Sequence, residues 1–288
     1  MPAPLSPRLD RTARLLGLTA MEKLARAHVV VIGLGGVGSF AAEALARAGV
    51  GRLTLCDGER IDETNVNRQL HALEGEVGRY KAEVLAERYR RVNPAAVIEP
   101  VCERYGEETA ERIVPEGVSF AVDAADTVVA KLHLIARCVT RKIPLVTSMG
   151  AARRIDPTAV EVTDLCETHT DQLAKDVRKY LRRHHGIPAT APTGVLAVWS
   201  REPPRESLAL PWDDELGVPG VRLRLDGERR REPKCFGSAA FVTGVFGLAA
   251  AGAVIQRLTG LEPATPRELP EEERKRRRKK VTVSRRRR

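Results

Sequence analysis

His28-Val-Val-Val-Ile-Gly33-Leu-Gly-Gly-Val-Gly38 is a short apolar run that stops at glycine, and residues from Gly36 to Ala48 continue with helical spacing. Glycines at 33, 35, 36 and 38 permit a tight turn and bring a helix N-terminus close to an anionic ligand, where free N–H groups and the helix dipole favour phosphate. Asp57, about twenty residues further on at the end of the next predicted strand, suits a carboxylate that accepts hydrogen bonds from a ribose. Glycines could merely cap a helix. The order of strand, glycines, helix and acid favours a nucleotide site without saying which nucleotide.

Outward from this turn, the first half of the chain alternates apolar strands and helices. Strands are predicted at His28–Ile32, Arg52–Cys56, Ala96–Val101, Val118–Val122 and Ile143–Thr147, and helices over 78–92, near 107–114 and over 128–141. This rhythm predicts an α/β fold of Rossmann-like type, a mostly parallel sheet with helices on both faces. After Gly150 it breaks. A strand at 159–163, a charged helix from Asp171 to His184, a Pro-rich stretch with short strands near 194–199 and 221–225, and a small-residue helix near 239–257 form an irregular lobe. The expected division is an N-terminal helical segment (1–27), an ATP-binding core (28–150), a substrate or crossover region with its closing helix (151–258) and a basic, disordered tail (259–288).

At 288 residues and 43% hydrophobic content the chain can bury a substantial core. Its five cysteines, Cys56, Cys102, Cys138, Cys166 and Cys235, are odd in number and form no C-x-x-C pair, which argues for a reducing compartment and against a structural zinc. Residues 1–9 lack the apolar core of a secretory signal, so the expected location is the cytoplasm. Residues 236–255 carry no charge and meet the length of a membrane span, but their Gly, Ala, Ser and Thr content favours a buried, close-packed helix over an anchor. The formal net charge of +10 is concentrated at the end: Arg274, Lys275, Arg276, Arg277, Arg278, Lys279, Lys280 and Arg285 to Arg288 leave the remainder at −1. Such a block is expected to be disordered. It serves either as a solubility tail or, as we favour, as an electrostatic arm for a polyanion, with RNA, DNA and anionic lipid undistinguished by charge.

Asn65-Val-Asn67-Arg68-Gln69, then Lys81 opening a helix, place two cations and several amides beside the ribose acid. A dinucleotide oxidoreductase needs only pyrophosphate neutralisation. A triphosphate broken between its α and β phosphates needs more positive charge, because charge builds on the leaving pyrophosphate. Arg68 and Lys81 therefore read as phosphate clamps. Asp123-Ala-Ala-Asp126 follows the fourth strand at the carboxyl edge, where ligands of open α/β sheets sit. Asp126, further past the strand, is the candidate magnesium ligand and Asp123 the turn support, although either could cap the helix beginning near Val128.

Arg11-Thr-Ala-Arg14-Leu-Leu-Gly17, Gly33-Leu-Gly-Gly-Val-Gly38, Asn65-Val-Asn-Arg-Gln69, Lys81, Asp123-Ala-Ala-Asp126 and Ile155-Asp-Pro-Thr158 resemble the ubiquitin-activating-enzyme-like ThiF/MoeB/HesA superfamily. Within it the chain is most similar to the dehydratases that cyclise threonylcarbamoyladenosine in tRNA, from about Arg8 to Arg257, with looser matches such as Val198-Trp-Ser-Arg-Glu-Pro203 beyond the first 160 residues. The resemblance implies an enzyme that adenylates the threonyl carboxylate beside the anticodon with ATP and Mg2+, then closes the ring with loss of AMP. It implies that Gly35 and Gly38 lie against the nucleotide, that Asp57 holds the ribose, that Asn67, Arg68 and Lys81 hold the phosphates and that Asp126 binds magnesium. It further implies a homodimer in which Arg11, or Arg14 one turn on, enters the other subunit's ATP site.

Relatives that charge sulphur-carrier proteins hold a zinc on two C-x-x-C pairs. Their absence here favours the tRNA enzyme over an adenylyltransferase acting on a carrier's C-terminus, with an NAD-binding oxidoreductase as the alternative of another class. Some relatives use a thiol to receive the activated group, and Cys235, just before the small-residue helix where the chain resembles the dehydratases, is the candidate; a buried cysteine behaving as a small hydrophobe is the favoured reading. Docking of a sulphur-transfer partner, such as a cysteine desulphurase system, stays open.

Overall fold

The computed structural model describes residues 6–208, 221–223, 229–231 and 236–262. Two helices, α1 (Asp10–Leu16) and α2 (Leu18–Arg26), meet at Gly17, whose φ of 83° turns the chain between them. There follow β1 (His28–Ile32), α3 (Gly38–Ala48), β2 (Arg52–Cys56), α4 (Lys81–Val92), β3 (Val97–Val101), α5 (Ala110–Ile113), β4 (Phe120–Asp123), α6 (Val128–Arg141) and β5 (Leu145–Ser148). The second half contributes β6 (Val160–Asp164), α7 (Gln172–His185), β7 (Leu196–Ser200), a separate two-stranded β8 (Val221–Leu223) and β9 (Arg229–Arg231), and α8 (Ala240–Thr259).

The seven-stranded sheet runs β3-β2-β1-β4-β5-β7-β6. Strands β1 to β5 and β7 are parallel and β6 is antiparallel to β7, so the Rossmann-like, mostly parallel sheet expected from the alternation is the one observed. Its centre is buried on both faces, which is why β1 reads Val-Val-Val-Ile without polar alternation. The edge strand β6 instead alternates, Val160-Glu-Val-Thr-Asp164, and is only half-buried. Its direction was not legible in the sequence, because the chain runs out to the edge and returns through α7 to place β7 inside it.

One apolar layer gathers α2, α3, α4 and α8 against one face, around Leu24, Leu45, Leu85, Tyr89 and Phe246. The other gathers α5, α6 and α7, around Ile113, Ile135, Val177, Leu181 and Trp199. Helix α8 is long and apolar enough to cross a membrane, yet half of it is buried. Its small residues explain the burial: a Cβ on Gly247 would stand 2.3 Å from the Val37 carbonyl oxygen and 2.9 Å from the Ala41 nitrogen, and one on Gly244 would meet the Phe40 ring. Of the predicted tail (259–288), Thr259 instead ends α8, whose run extends to it, and residues 263–288 lie outside the described residues, as do the predicted strand residues 224–225.

Two glycines of α8 make a paired prediction. Gly247→Ala forces α8 off α3 and is expected to destabilise the protein by about 1–3 kcal/mol. Gly252→Ala, where a Cβ meets nothing within 4 Å, is expected to be neutral or to stabilise by up to ~1 kcal/mol through helix propensity. Urea midpoints of the two variants give the ordering.

Candidate active site

The turn between β1 and α3 is held by contacts that admit no side chain. Gly33 has φ 82°, and a Cβ there would lie 2.5 Å from the Ala124 carbonyl oxygen; a Cβ on Gly38 would lie 1.8 Å from the Gly33 oxygen. Gly36 is covered by Thr243 of α8, 2.9 Å from the position its Cβ would take, and by the Arg68 side chain at 3.3 Å. Gly35 faces open space except for the Gln69 amide at 3.8 Å. Helix α3 starts here without a side-chain cap; the Ser39 and Ala41 N–H groups are taken by the Gly35 and Val37 carbonyls, and among the described residues the N–H groups of 35–38 have no backbone partner. Three glycines thus shape the bay and Gly35 lines it.

Asp57 closes one side. Its carboxylate accepts from the Leu34 N–H at 2.7 Å and the Glu59 N–H at 2.8 Å. Burial raises its pKa, opposed by the Leu34 hydrogen bond and the charge of Lys81. Lys81, first residue of α4, is only 3% exposed, and its Nζ donates to Glu59 at 2.6 Å. A clamp expected to face the nucleotide therefore rests on a half-exposed carboxylate from the same strand end. Glu59 is the partner that the sequence reading missed; its place two residues after Asp57 is the only signal for it.

Arg68 donates to the Thr64 carbonyl at 2.7 Å and to Asn67 Oδ1 at 2.9 Å, both neutral acceptors. Asn67 donates to the Ser238 carbonyl at 2.8 Å, tying this loop to the strand-free approach to α8. Asn65 faces inward instead: its side chain accepts from Asp62 N–H and completes a capping box, so it shapes the loop rather than the bay. Gln69 and His71 are buried, and among the described residues Gln69 Oε1 and both His71 ring nitrogens have no hydrogen-bond partner. Orphaned polar atoms beside a glycine turn mark a place that a ligand or water completes.

The fourth strand ends against the same turn. Asp123 is fully buried, accepts from Lys131 Nζ at 2.7 Å, Thr147 Oγ1 at 2.6 Å and the Ala125 N–H at 3.1 Å, and so supports the turn. Lys131, a lone lysine within an apolar helical run, was readable as an oddity but was not singled out. Asp126 is exposed, and among the described residues its carboxylate accepts only from the Thr127 hydroxyl at 3.3 Å, while Thr127 occupies the N-cap position of α6 without a capping side-chain bond. Asp126 therefore does not cap that helix.

The glycine bay, Asp57, Arg68, Gln69, Lys81 and Asp126 all stand at the carboxyl edge of the sheet. A cavity of about 420 Å3 at the opposite edge, around Ser119, Pro144 and Leu258, carries none of them. The model of the ThiF family matches residues 9–287. The chain belongs to the ThiF family. Curated relatives of this ThiF-family chain include the tRNA threonylcarbamoyladenosine dehydratase of Escherichia coli (strain K12), 41% identical over 254 residues that span 87% of this chain and 93% of that one. The dehydratase of Bacillus subtilis (strain 168) is 41% identical over 252 residues, 86% of this chain and 93% of that one. The solved E. coli enzyme in complex with ATP is 39% identical, with a TM-score of 0.74 over 88% of this chain and 94% of that chain.

Two of the expected residues stand apart from the bay. In this ThiF-family fold Arg11 is exposed on α1, and Arg14 pairs with Asp10 at 3.0 Å. Helix α1 packs at the far end of α3, where Leu9 fills the space above Gly49, so neither arginine joins the site of its own chain. Cys235 lies outside the described residues. Of the others, Cys56 and Cys138 are buried with pKa values pushed up to about 12 by desolvation, which keeps them as inert thiols.

His71 provides a pH test. Burial, reinforced by Lys81, lowers its pKa from 6.5 to about 3. Between those values the unfolded chain binds the extra proton, so stability rises with pH across this window and falls as the medium is acidified below about 6.5. His71→Leu removes that proton and is expected to flatten the loss: between pH 7.5 and 4.5 its urea stability should drop by up to about 2 kcal/mol less than that of the wild type. Equal drops in the two proteins would show that the imidazole is not held neutral.

Proposed function

We infer that the chain is an ATP-dependent tRNA threonylcarbamoyladenosine dehydratase, a ligase-type, adenylate-forming enzyme. The observation that carries this reading is the open bay over Gly35, flanked by Asp57, Arg68 and Lys81, in a chain whose relatives of that name match it along almost their whole length. The threonyl carboxylate attacks the α-phosphorus of ATP: a C–O–P bond forms, the bond from Pα to the bridging oxygen breaks, and pyrophosphate leaves. A nucleophilic atom of the same modification then attacks the activated carbonyl, and AMP departs with the former carboxylate oxygen. Adenylation is needed because a carboxylate is a poor electrophile until its oxygen belongs to a good leaving group.

The residues fit a triphosphate. The N–H groups of the glycine turn at the start of α3 receive anionic oxygens over Gly35, Asp57 accepts from the ribose, and Arg68 and Lys81 neutralise the charge that builds on pyrophosphate. Asn67 orients Arg68, and the Gln69 amide, whose nitrogen lies 3.8 Å from the Cβ position of Gly35, lines the bay. Magnesium fits Asp126 in the way it commonly binds, through one exposed carboxylate plus substrate phosphates, since the described residues contain no cluster of three or more metal-ligating acids, histidines or cysteines. When bound, it supplies further charge neutralisation on the phosphates. The separation of Arg11 from the bay of its own chain supports a homodimer as the active form, with Arg11 entering the partner's ATP site. The tail from Arg274 to Arg278 and beyond is proposed to hold tRNA phosphates, in the cytoplasm. Activation of a sulphur carrier would use the same ATP residues; the basic tail and the lack of C-x-x-C pairs weigh toward RNA.

The test is ATP–pyrophosphate exchange with threonylcarbamoylated tRNA, a sulphur-carrier protein, or neither. Exchange supported by the tRNA alone is expected, and exchange only with a carrier protein would overturn the assignment. Arg68→Ala and Lys81→Met, the latter keeping the buried stem without its charge, are each expected to lower exchange at least a hundredfold while leaving the urea midpoint within about 1 kcal/mol. Deleting residues 274–288 is expected to weaken tRNA affinity and flatten its salt dependence with unchanged affinity for ATP.

A further inference from the structure

Helix α7 carries a charge pattern that differs from the rest of the folded surface. Elsewhere exposed arginines commonly have an acid within reach: Arg47 with Glu43, Arg52 with Glu99, Arg79 with Glu76 and Glu87, Arg112 with Glu103, Arg141 with Glu111. On α7 the solvent-facing residues Lys175, Lys179, Arg182 and Arg183 fall at i, i+4, i+7 and i+8, all are exposed, and none has an acid or hydrogen-bond partner among the described residues. The one acid of the helix, Asp176, is engaged by Gln172 at 2.9 Å. Like charges one turn apart destabilise a helix, and Asp176, three residues before Lys179 at the edge of this face, is the single acid of the helix set against four cations. Because the chain outside the tail is close to neutral, this stripe is a local positive island rather than part of a basic surface.

The stripe is also fixed relative to the active site. Asp171 caps α7 by accepting from the Ala174 N–H at 3.0 Å, and its other oxygen accepts from the Gly150 N–H at 3.0 Å and from buried Arg154 at 2.9 Å. Gly150 follows β5 at the carboxyl edge, the edge that holds the glycine bay. Arg178 pins the helix from below by donating to the Thr168 carbonyl at 2.8 Å. With about 1.5 Å of rise per residue, the cations run from about 6 to 18 Å along α7 away from Asp171. We propose that this face of α7 is a docking track for the phosphate backbone of the tRNA stem that leads into the active-site edge, formed by Lys175, Lys179, Arg182 and Arg183.

This inference rests on the dehydratase reading and adds the place where its RNA substrate lies. A phosphate track needs cations in excess at fixed spacing on a rigid element, here four against the one acid Asp176, and carries no base specificity, so it suits a stem. It is separate from the tail, whose contribution can be removed independently.

The experiment uses the full chain, a tail-deleted chain, and both with Lys175→Gln, Lys179→Gln, Arg182→Gln and Arg183→Gln, substitutions that keep helix propensity. tRNA binding is titrated by fluorescence anisotropy from 50 to 300 mM KCl, alongside ATP binding and far-UV circular dichroism. The fourfold variant is expected to lose at least tenfold in tRNA affinity at 150 mM KCl in both tail backgrounds, with the slope of log K against log[KCl] reduced by about 3 and ATP affinity and helicity unchanged. Unchanged tRNA affinity and slope in a variant that folds and binds ATP would overturn the track while leaving the dehydratase reading in place. A wild-type chain that neither binds tRNA nor exchanges pyrophosphate with it would instead remove that reading. Loss of binding to phosphatidylserine vesicles with tRNA binding intact would reassign the stripe to a membrane surface and overturn the proposal.

Discussion

The contact on which the molecule depends is the one between Gly33, Gly38 and the backbone of Ala124. It fixes three things together: the distance from β1 to β4, the angle at which α3 leaves the sheet, and the depth of the bay over Gly35. A side chain at 33 would drive the β4 turn away, and one at 38 would drive α3 away from the strand that feeds it. Because Asp123 at the end of β4 is tied to Lys131 and Thr147 in a fully buried cluster, the Ala124 backbone has little freedom to yield. Taking one member from that cluster strands a buried charge, a change worth about 3–5 kcal/mol. The ion pair therefore supports the nucleotide turn from behind without facing the ligand.

The two lysine–carboxylate pairs of the carboxyl edge have opposite characters. Lys131 and Asp123 are both sealed from water, and their partners are complete. Lys81 is buried, but its partner Glu59 is nearly half exposed, so the pair is held by one carboxylate that water already screens. Arg68 rests on a carbonyl and an amide oxygen, acceptors weaker than an anion. In the proposed function, a triphosphate in the bay would offer both cations more negative charge than their resting partners do. Resting contacts of this strength hold the side chains in position while leaving them free to transfer.

Much of the core was legible because its signals are local. The strand β1, the strand β2 and the helix α6 coincide with the expected bounds, since each is an unbroken apolar or 3.6-periodic run between clear stop residues. Helix ends were less so: α4 begins at Lys81 rather than Gly78, because Ile61 and Glu59 draw the 78–81 backbone into an irregular loop pairing. The site's residue types were legible, but their engagement was not. That Asn65 turns inward, that Lys81 is buried on Glu59 and that Asp123 belongs to Lys131 are all consequences of packing between segments distant in sequence. No spacing rule reports such pairings. His71 gave no signal at all, since a histidine after a polar run looks the same whether its ring is solvated or sealed.

The position of Arg11 shows how helix length constrains assembly. Helix α3 has 11 residues and so spans about 16 Å, with the glycine bay at its N-terminus and Gly49, covered by Leu9, at its C-terminus. Arg11 lies two residues beyond Leu9, on a helix whose Ala13 and Leu16 pack into the same layer as Leu45. An extended arginine side chain is far shorter than α3, and α1 cannot swing toward the bay without exposing the apolar residues that seat it. Any role for this arginine in catalysis must therefore be exercised on another copy of the chain, and the same apolar seating that denies it the near site presents it outward at a fixed angle. Its exposure, and the absence of an acid partner among the described residues, fit that use, whereas Arg14, one turn on, is already committed to Asp10.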